Sequence, residues 1–332
     1  MVMEYTHLGN SDVTISRICL GAMGFGVPNE QHPWTVDLET STAIIKEALD
    51  AGITFFDTAY TYNDGTSEEY LGEALRRLAT RDDVRIATKC PPPDVGTREQ
   101  GFTDGEWVRH CLETSLSRLK EDYVDLFICH WWGDDCNMDE VLSTMSALVD
   151  EGKARALGMS NLFAWELAEY NARTEERSLH RIDSVQGHYN LINREEEREM
   201  IPYCESHDVA LTPYSPLAGG RLTRTPKHQG DSLRGRIDHI GVSKYGATLD
   251  ADAPIIERVD ELAQKYGVSM TTIALAWELT TVTAPVVGVT KPGRIVDIVG
   301  AFDVKLTEDD IAYLDELYVP HKLVGVMARF GR

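Results

Sequence analysis

Four ionisable residues stand at or just beyond the ends of apolar, strand-like runs: Asp57, Tyr62, Lys89 and His130. A tyrosine alone is a poor proton donor at neutral pH, because its reference pKa is about 10. We expect the Lys89 ammonium to lower the pKa of Tyr62, and the Asp57 carboxylate to keep that lysine charged. An imidazole from His130 can hydrogen-bond a carbonyl oxygen. The combination indicates a general-acid site for an alkoxide that forms from a carbonyl group.

An alkoxide forms when a nucleophile attacks the carbonyl carbon. The sequence shows no Ser-His-Asp order, no activated cysteine and no metal-binding cluster, so hydride from a nicotinamide is the favoured nucleophile. The six cysteines are scattered without a Cys-x-x-Cys pair. This distribution predicts reduced thiols, with neither a disulfide framework nor a bound metal.

Eight apolar runs alternate with amphipathic helical segments along the chain, which predicts parallel strands covered by helices on both faces. The pattern favours a single α/β domain over residues 1–332 with the (β/α)8 architecture of a TIM barrel, whose strand ends meet at one rim. An open doubly wound sheet is the alternative, but the first run ends in GAMGFG rather than in its usual Gly-x-Gly-x-x-Gly turn. The predicted strands are 17–23, 53–60, 83–90, 123–130, 154–161, 182–190, 209–217 and 284–290.

The composition of the chain limits its partners. The 332 residues carry a formal net charge of −22, and nucleic-acid binding requires clustered Lys and Arg, so that partner is not expected. No apolar run is long enough to span a bilayer, and no secretion signal is visible. We expect a cytoplasmic enzyme, either a monomer or a small homo-oligomer, that acts on a small-molecule carbonyl or alcohol.

The segments around these residues resemble aldo-keto reductases in order and spacing. The similarity runs from about residue 6 to 318 and includes GITFFDTAYTYNDGTSEEYLGEAL, SLSRLKEDYVDLFICHW, GKARALGMSN, HYNLINREEERE and TPYSPLAGGRL. The last two segments resemble the branch of bacterial reductases and potassium-channel β-subunits. The resemblance implies reversible, NADPH-dependent reduction of aldehydes or ketones, with Tyr62 as proton donor. It also implies that Lys89 and Asp57 tune Tyr62 and that His130 orients the carbonyl.

The resemblance further implies a cofactor site for NADPH or NADP+ along the strand ends. Ser160, Asn161 and Gln186 resemble the residues that bind the nicotinamide carboxamide, and Tyr214 resembles the ring that stacks on the nicotinamide. The other implied cofactor contacts, including those with the pyrophosphate and the adenosine, are Gly21, Met23, Asp57, Ser215, Pro216, Leu217, Gly219, Arg221, Gly288, Thr290, Lys291 and Arg294.

Lys291 and Arg294 are the implied partners of a 2′-phosphate, so NADPH is expected to be preferred to NADH. After Arg294 the family pattern usually continues with Glu and Asn, whereas this chain has Asp297 and Ile298. An isoleucine cannot hydrogen-bond the adenine, and we therefore expect weaker NADPH binding than in relatives.

Side chains over the barrel mouth are expected to select the substrate. The candidates are Phe25, Tyr60, Tyr62, His130 and Trp131, whose rings favour a substrate with a ring or an extended apolar surface. Trp132 can line the pocket or pack under the next loop. Further candidates are the loop 91–103 and a tail from about residue 319, in which Arg329 and Arg332 would attract an anionic substrate.

Two alternatives stay open. The polar segment 221–252 is expected to close over the cofactor, with Arg234 and Arg236 near its phosphates, but a solvated loop explains its composition equally well. The alternative function is a nicotinamide-binding regulatory protein of the channel β-subunit type, with little turnover. The complete set of four ionisable residues favours an enzyme.

Overall fold

The computed structural model describes residues 2–92, 101–131, 136–231 and 233–330. The predictions for Trp132, for positions 93–100 of the loop 91–103, for Arg332 and for the side chain of Arg329 lie outside the described residues.

The strands lie within the predicted apolar runs, with an additional hairpin before them. Their bounds are β1 Tyr5–His7, β2 Thr14–Ser16, β3 Cys19–Gly21, β4 Phe55–Asp57, β5 Arg85–Cys90, β6 Val124–Cys129, β7 Ala154–Ser160, β8 Ser184–Gln186, β9 Ala210–Leu211 and β10 Val286–Gly288. β1 and β2 pair antiparallel, and the apolar pattern does not predict this hairpin. β3 to β10 correspond one by one to the eight predicted strands.

The sheet of β3 to β10 closes on itself. The strands are parallel, in the order β10-β3-β4-β5-β6-β7-β8-β9. Beyond β9, Tyr214 forms a parallel bridge with Val286 of β10, and the Val286 N–H donates to the Pro213 carbonyl at 2.8 Å. These contacts join the two ends of the sheet, so the predicted (β/α)8 fold in a single domain is confirmed.

Helices cover the outside of the barrel. Their bounds are α1 Leu38–Asp50, α2 Thr66–Leu78, α3 Asp104–Leu119, α4 Met138–Asp150, α5 Ala164–Glu176, α6 Met200–His207, α7 Leu233–Ile237, α8 His239–Tyr245, α9 Leu249–Tyr266, α10 Met270–Glu278, α11 Ile295–Val299 and α12 Glu308–Asp315. Short 3-10 helices span Tyr62–Gly65, Arg81–Asp83, Glu195–Glu197, Ala218–Thr223, Pro226–Asp231, Gly300–Asp303 and Gly325–Phe330. The polar segment 221–252 is thus a series of short helices rather than an extended loop.

The strand side chains alternate between two apolar clusters. On β6, Leu126 and Ile128 belong to the cluster inside the barrel, whereas Phe127 and Cys129 belong to the larger cluster shared with the helices. This alternation follows from the strand period of two. The β1–β2 hairpin adds Leu8 to the inner cluster and so packs against the barrel end where the strands begin.

The same period explains why polar groups meet at the other end of the barrel. A residue two positions after an interior apolar residue points to the same face of the sheet. Counting two residues on from the last interior apolar side chain therefore places a polar side chain at the rim of the barrel. The pairs are Phe55 and Asp57 on β4, Ala87 and Lys89 on β5, and Ile128 and His130 on and just after β6.

One acidic residue, Glu278, is buried away from the rim. Glu278, at the end of α10, has a fully buried side chain, and among the described residues neither carboxyl oxygen has a hydrogen-bond partner. Burial disfavours the charged form and raises the pKa of Glu278 well above its usual value. Below the pKa that Glu278 has in the unfolded chain, its burial therefore costs no folding stability of this electrostatic kind. Above that pKa the unfolded chain loses the proton more readily than the folded one, so the cost grows until the pH reaches the raised pKa of the folded state.

Replacing this carboxyl by an apolar group of similar length is expected to stabilise the fold. Glu278→Met should increase the free energy of unfolding by about 1–3 kcal/mol at pH 7.5, because it removes an unsatisfied buried polar group. The gain should shrink at pH 5, where protonation costs less. Urea unfolding at both pH values measures the effect, with Glu69→Met at an exposed position of α2 as the control. Equal destabilisation at both pH values would show that the carboxyl has a stabilising partner.

Candidate active site

A buried lysine ammonium lies at the centre of the rim. Lys89 of β5 is fully buried, and its Nζ lies 2.5 Å from Asp57 Oδ1 of β4. The same ammonium donates to the Thr58 carbonyl at 2.7 Å and to the Tyr62 hydroxyl at 3.3 Å. The other Asp57 oxygen accepts from Gln186 Nε2 at 3.0 Å. The structure therefore brings Asp57, Tyr62 and Lys89 together as predicted.

The lysine is held in its charged form. Burial works against the ammonium, but the Asp57 carboxylate and the Tyr62 hydroxyl outweigh it, so the pKa of Lys89 is raised. Desolvation of an ion is tolerated here because a carboxylate and two further oxygens replace the lost water.

The expected lowering of the Tyr62 pKa is wrong in its net direction. Burial of the phenol raises its pKa by more than the Lys89 charge lowers it, and Asp57 adds to the rise. The extent of this desolvation depends on the surrounding fold rather than on the residue types alone. In this structure Tyr62 therefore keeps its proton throughout the neutral range.

His130 follows β6 and presents its ring to Tyr62. The ring centroids are 5.6 Å apart in an edge-on arrangement with an interplanar angle of 78°. Burial and the Lys89 charge hold the pKa of His130 well below its usual value, so the imidazole is neutral. Among the described residues its buried Nδ1 has no hydrogen-bond partner. Trp131 packs against His130, with ring centroids 4.9 Å apart.

A hydrogen-bonded row of polar side chains continues from His130 around the rim. Asn161 Nδ2 donates to the His130 carbonyl and to Ser160 Oγ, both at 2.8 Å. Ser160 Oγ donates to the Gln186 carbonyl at 2.8 Å, and the Tyr214 hydroxyl donates to Asn161 Oδ1 at 2.9 Å. The structure thus joins the four residues that resemble the nicotinamide-binding set, and they lie next to the Lys89 cluster through Gln186.

The predicted pyrophosphate loop begins directly after Tyr214. Ser215 and Gly219 have positive φ angles of 60° and 66°, Pro216 is buried, and Leu217 is partly exposed. The Arg221 guanidinium lies 5.1 Å from the centroid of the Tyr245 ring. Among the described residues Arg221 Nε is buried without a hydrogen-bond partner.

Sequence reasoning missed Lys244, which lies beside this loop. Its Nζ is 4.6 Å from the centroid of the Tyr214 ring. Burial and the nearby Arg234 lower the pKa of Lys244 to about 8, and within the described ranges no carboxylate is in ion-pair contact with it. Arg234 lies 4.0 Å from the Trp34 ring centroid and pairs with Asp238 at 2.8 Å. Arg236 is exposed. The only sequence signal for Lys244 is its place in the segment 221–252.

The predicted adenosine end is open but less cationic than its sequence indicates. Gly288 and Lys291 are exposed, and Thr290 is partly exposed. Arg294 Nη1 lies 3.7 Å from an Asp297 carboxylate oxygen, and Glu47 accepts the Gly293 N–H at 2.8 Å. These carboxylates offset part of the positive charge.

Ile298, the departure from the family pattern, packs in the core. The residue therefore contributes to the packing of α11 rather than to a polar surface at the adenosine end. α11 has five residues, and its dipole adds little to anion binding.

The remaining predicted positions divide into packed and open ones. Phe25 is fully buried in the core, so its ring has no surface for a substrate. A Cβ at Gly21 would lie 3.0 Å from the Val286 side chain, and the Met23 carbonyl accepts from Asn63 Nδ2 at 2.9 Å. Tyr60 and Trp131 are partly exposed at the mouth.

A (β/α)8 barrel with a protonated phenol, a charged lysine, its carboxylate and a neutral imidazole at the strand ends defines the class of barrel oxidoreductases. A model of the Aldo/keto reductase family matches residues 17–319. The chain belongs to this family, and the resemblance noted in the sequence is confirmed. Members are oxidoreductases that act on small molecules with a nicotinamide cofactor.

Relatives match along nearly the whole chain. A versiconal hemiacetal acetate reductase of Aspergillus parasiticus is 38% identical, over 96% of this chain and 98% of its own. A Schizosaccharomyces pombe protein named for aryl-alcohol dehydrogenase activity is 36% identical, over 97% of both chains. An aldo-keto reductase of Fusarium vanettenii is 35% identical, over 97% of this chain and 93% of its own.

The contribution of the buried Asp57–Lys89 ion pair can be tested through the stability of the fold, without an activity assay. Lys89→Met should destabilise the fold by about 3–5 kcal/mol, because it leaves the Asp57 carboxylate buried without a counter-charge. The double variant Asp57→Asn/Lys89→Met should recover most of that loss. Urea unfolding measures both.

The matched control is the exposed pair of Lys46 and Asp50, whose charged atoms are 2.6 Å apart. Lys46→Met should change stability by no more than about 0.5 kcal/mol. A similarly small loss for Lys89→Met would mean that Asp57 is not buried as an ion.

Proposed function

We propose that this protein is an NADPH-dependent enzyme that reversibly reduces an aldehyde or ketone to an alcohol. The observation that carries the proposal is the position of the Lys89 ammonium, 2.5 Å from Asp57 and 3.3 Å from the Tyr62 hydroxyl, at the rim where barrel enzymes hold their chemistry.

Tyr62 is the proton donor in this proposal. Its raised pKa keeps the hydroxyl protonated until an alkoxide, a much stronger base, forms beside it. The Lys89 ammonium then stabilises the phenolate that remains after the transfer, and Asp57 holds the ammonium in place. A bound nicotinamide supplies the hydride.

His130 orients the carbonyl group. Because its imidazole is neutral, one ring nitrogen carries a hydrogen and can donate to the carbonyl oxygen without introducing a charge that competes with Tyr62. The edge-on contact with Tyr62 places both donors on one side of the rim.

The residues present fit a dinucleotide. Ser160, Asn161 and Gln186 offer amide and hydroxyl groups for a carboxamide. The Tyr214 ring, which contacts His188 and Lys244, is the aromatic group proposed to stack on the nicotinamide. The buried Arg221 Nε, which has no hydrogen-bond partner within the described part of the chain, is a donor that an anionic pyrophosphate oxygen would satisfy.

The segment 221–252 is the proposed cover of the cofactor. Lys244 brings a positive charge, without a carboxylate partner among the described residues, to the side of Tyr214. Arg234 brings a second one, although Asp238 pairs with it. Both charges favour phosphate at this position.

The substrate pocket is proposed to be apolar and aromatic. Trp131 and Tyr60 are partly exposed, and Trp131 packs against His130, whereas Phe25 is excluded by its burial. A flat ring beside the carbonyl complements such walls. A relative named for aryl-alcohol dehydrogenase activity supports this substrate class.

The proposed acid can be tested by removing one oxygen atom. Tyr62→Phe should abolish NADPH-dependent reduction of aromatic aldehydes, because it removes the proposed proton donor, while NADPH still quenches the protein fluorescence. Absorbance decay at 340 nm measures turnover. Tyr5→Phe, in β1 at the other end of the barrel, should behave as wild type. NADPH binding without turnover of aldehydes, quinones or keto-sugars by the wild type would favour the regulatory alternative.

The cofactor preference can be tested at the adenosine end. Wild-type kcat/KM should be higher with NADPH than with NADH. Lys291→Met and Arg294→Met should each reduce kcat/KM for NADPH by about 10-fold, the loss expected for a hydrogen bond to a charged group. NADH, which lacks the 2′-phosphate, is the internal control and should be affected little. A wild-type preference for NADH would contradict the proposal.

A further inference from the structure

The loop that carries Tyr62 has an unusual backbone. The three residues that follow it, Asn63, Asp64 and Gly65, have positive φ angles of 52°, 56° and 90°. The left-handed conformation costs a non-glycine residue about 1–2 kcal/mol. Contacts with the surrounding structure must therefore hold this loop in place.

Asn63 anchors one side of the loop. Its buried side-chain amide donates to the Met23 and Phe25 carbonyls, at 2.9 and 2.7 Å, and its oxygen lies 3.0 Å from the His32 ring nitrogen. These bonds attach the loop to the segment after β3.

Arg118 of α3 anchors the other side. Its Nη1 donates to the Tyr60 carbonyl at 2.9 Å, and its guanidinium lies 4.6 Å from the Tyr60 ring centroid. Gly65 packs against the same guanidinium so closely that a Cβ there would lie 2.5 Å from Arg118 Cζ. Arg118 thus contacts residues on both sides of Tyr62 in the chain.

Glu68 connects this anchor to the strand of Lys89. Its side chain is fully buried; one oxygen pairs with Arg118 Nη1 at 3.0 Å, and the other accepts from Thr88 Oγ1 at 2.6 Å. Thr88 precedes Lys89 on β5. A buried ion pair is often no more stabilising than apolar residues of the same volume. We therefore attribute to the Arg118–Glu68 pair a role in fixing the geometry of the loop rather than a gain in stability.

We propose that Arg118, held by Glu68, is a positioning residue for Tyr62. It ties Tyr60 and Gly65 to β5 and so sets the 3.3 Å separation between the Tyr62 hydroxyl and the Lys89 ammonium. The inference rests on the proposed function, in which Tyr62 is the general acid.

The test removes the anchor without leaving a buried, unpaired carboxylate. In Arg118→Met/Glu68→Gln, kcat for aldehyde reduction should fall about 10- to 100-fold, the loss expected when a reacting group is displaced by about 1 Å. NADPH affinity, read from fluorescence quenching, should be unchanged. If the double variant does not fold, Arg118→Lys serves instead, because it keeps the charge but loses the planar guanidinium that packs against the Tyr60 ring and Gly65.

The pH profile of kcat separates positioning from a structural role. With Tyr62 further from Lys89, the apparent pKa of the acid should rise by about 1 unit, because a nearby cation no longer favours the phenolate. A loss of folded enzyme would reduce the amplitude and leave this pKa in place. Arg109→Met, on the same helix but paired with Glu151 at the surface, is the matched control and should match wild type.

The outcomes are distinguishable. A double variant with wild-type kcat and pH profile, alongside an inactive Tyr62→Phe, would overturn the positioning role and leave the proposed function standing. A reduced kcat with an unshifted pKa would also overturn it. Activity that survives Tyr62→Phe would overturn the proposed function itself.

Discussion

The buried ammonium of Lys89 is the group on which the rest of the site depends. A charge without water needs partners on every side, since its desolvation costs several kcal/mol. Asp57, the Thr58 carbonyl and the Tyr62 hydroxyl supply them, and Gln186 holds Asp57 from β8. The charge balance thus connects β4, β5 and β8 with the loop after β4.

Two opposing effects set the chemistry around this charge. Burial raises the pKa of Tyr62 and lowers that of His130, while Lys89 lowers both. The result is a protonated phenol beside a neutral imidazole, which are the forms that can donate hydrogen bonds to a carbonyl oxygen. Backbone geometry matters as much as charge, because the left-handed residues after Tyr62 must be held by Asn63 on one side and Arg118 on the other.

Much of the fold and of the site was predictable from local pattern. Eight apolar runs correspond to the eight barrel strands. The strand period of two predicts that Asp57 shares the interior face of Phe55 and that Lys89 shares that of Ala87. The β1–β2 hairpin was missed because its three-residue strands have no apolar run of their own. The aromatic side chain of Phe25 and its place after the first predicted strand indicate a pocket residue, but the ring packs in the core. Lys244 is not predicted as a site residue, because nothing in the local sequence distinguishes it from a surface lysine.

The sequence by itself determined which groups stand at the barrel rim, because strand period and helix alternation are local properties of the chain. Tertiary structure decided how those groups behave. The direction of the Tyr62 pKa depends on how much water the fold removes, and the charge near Arg294 depends on Asp297 and on Glu47, which is 246 residues from its hydrogen-bond partner Gly293. Desolvation and long-range contact arise only when distant segments pack together.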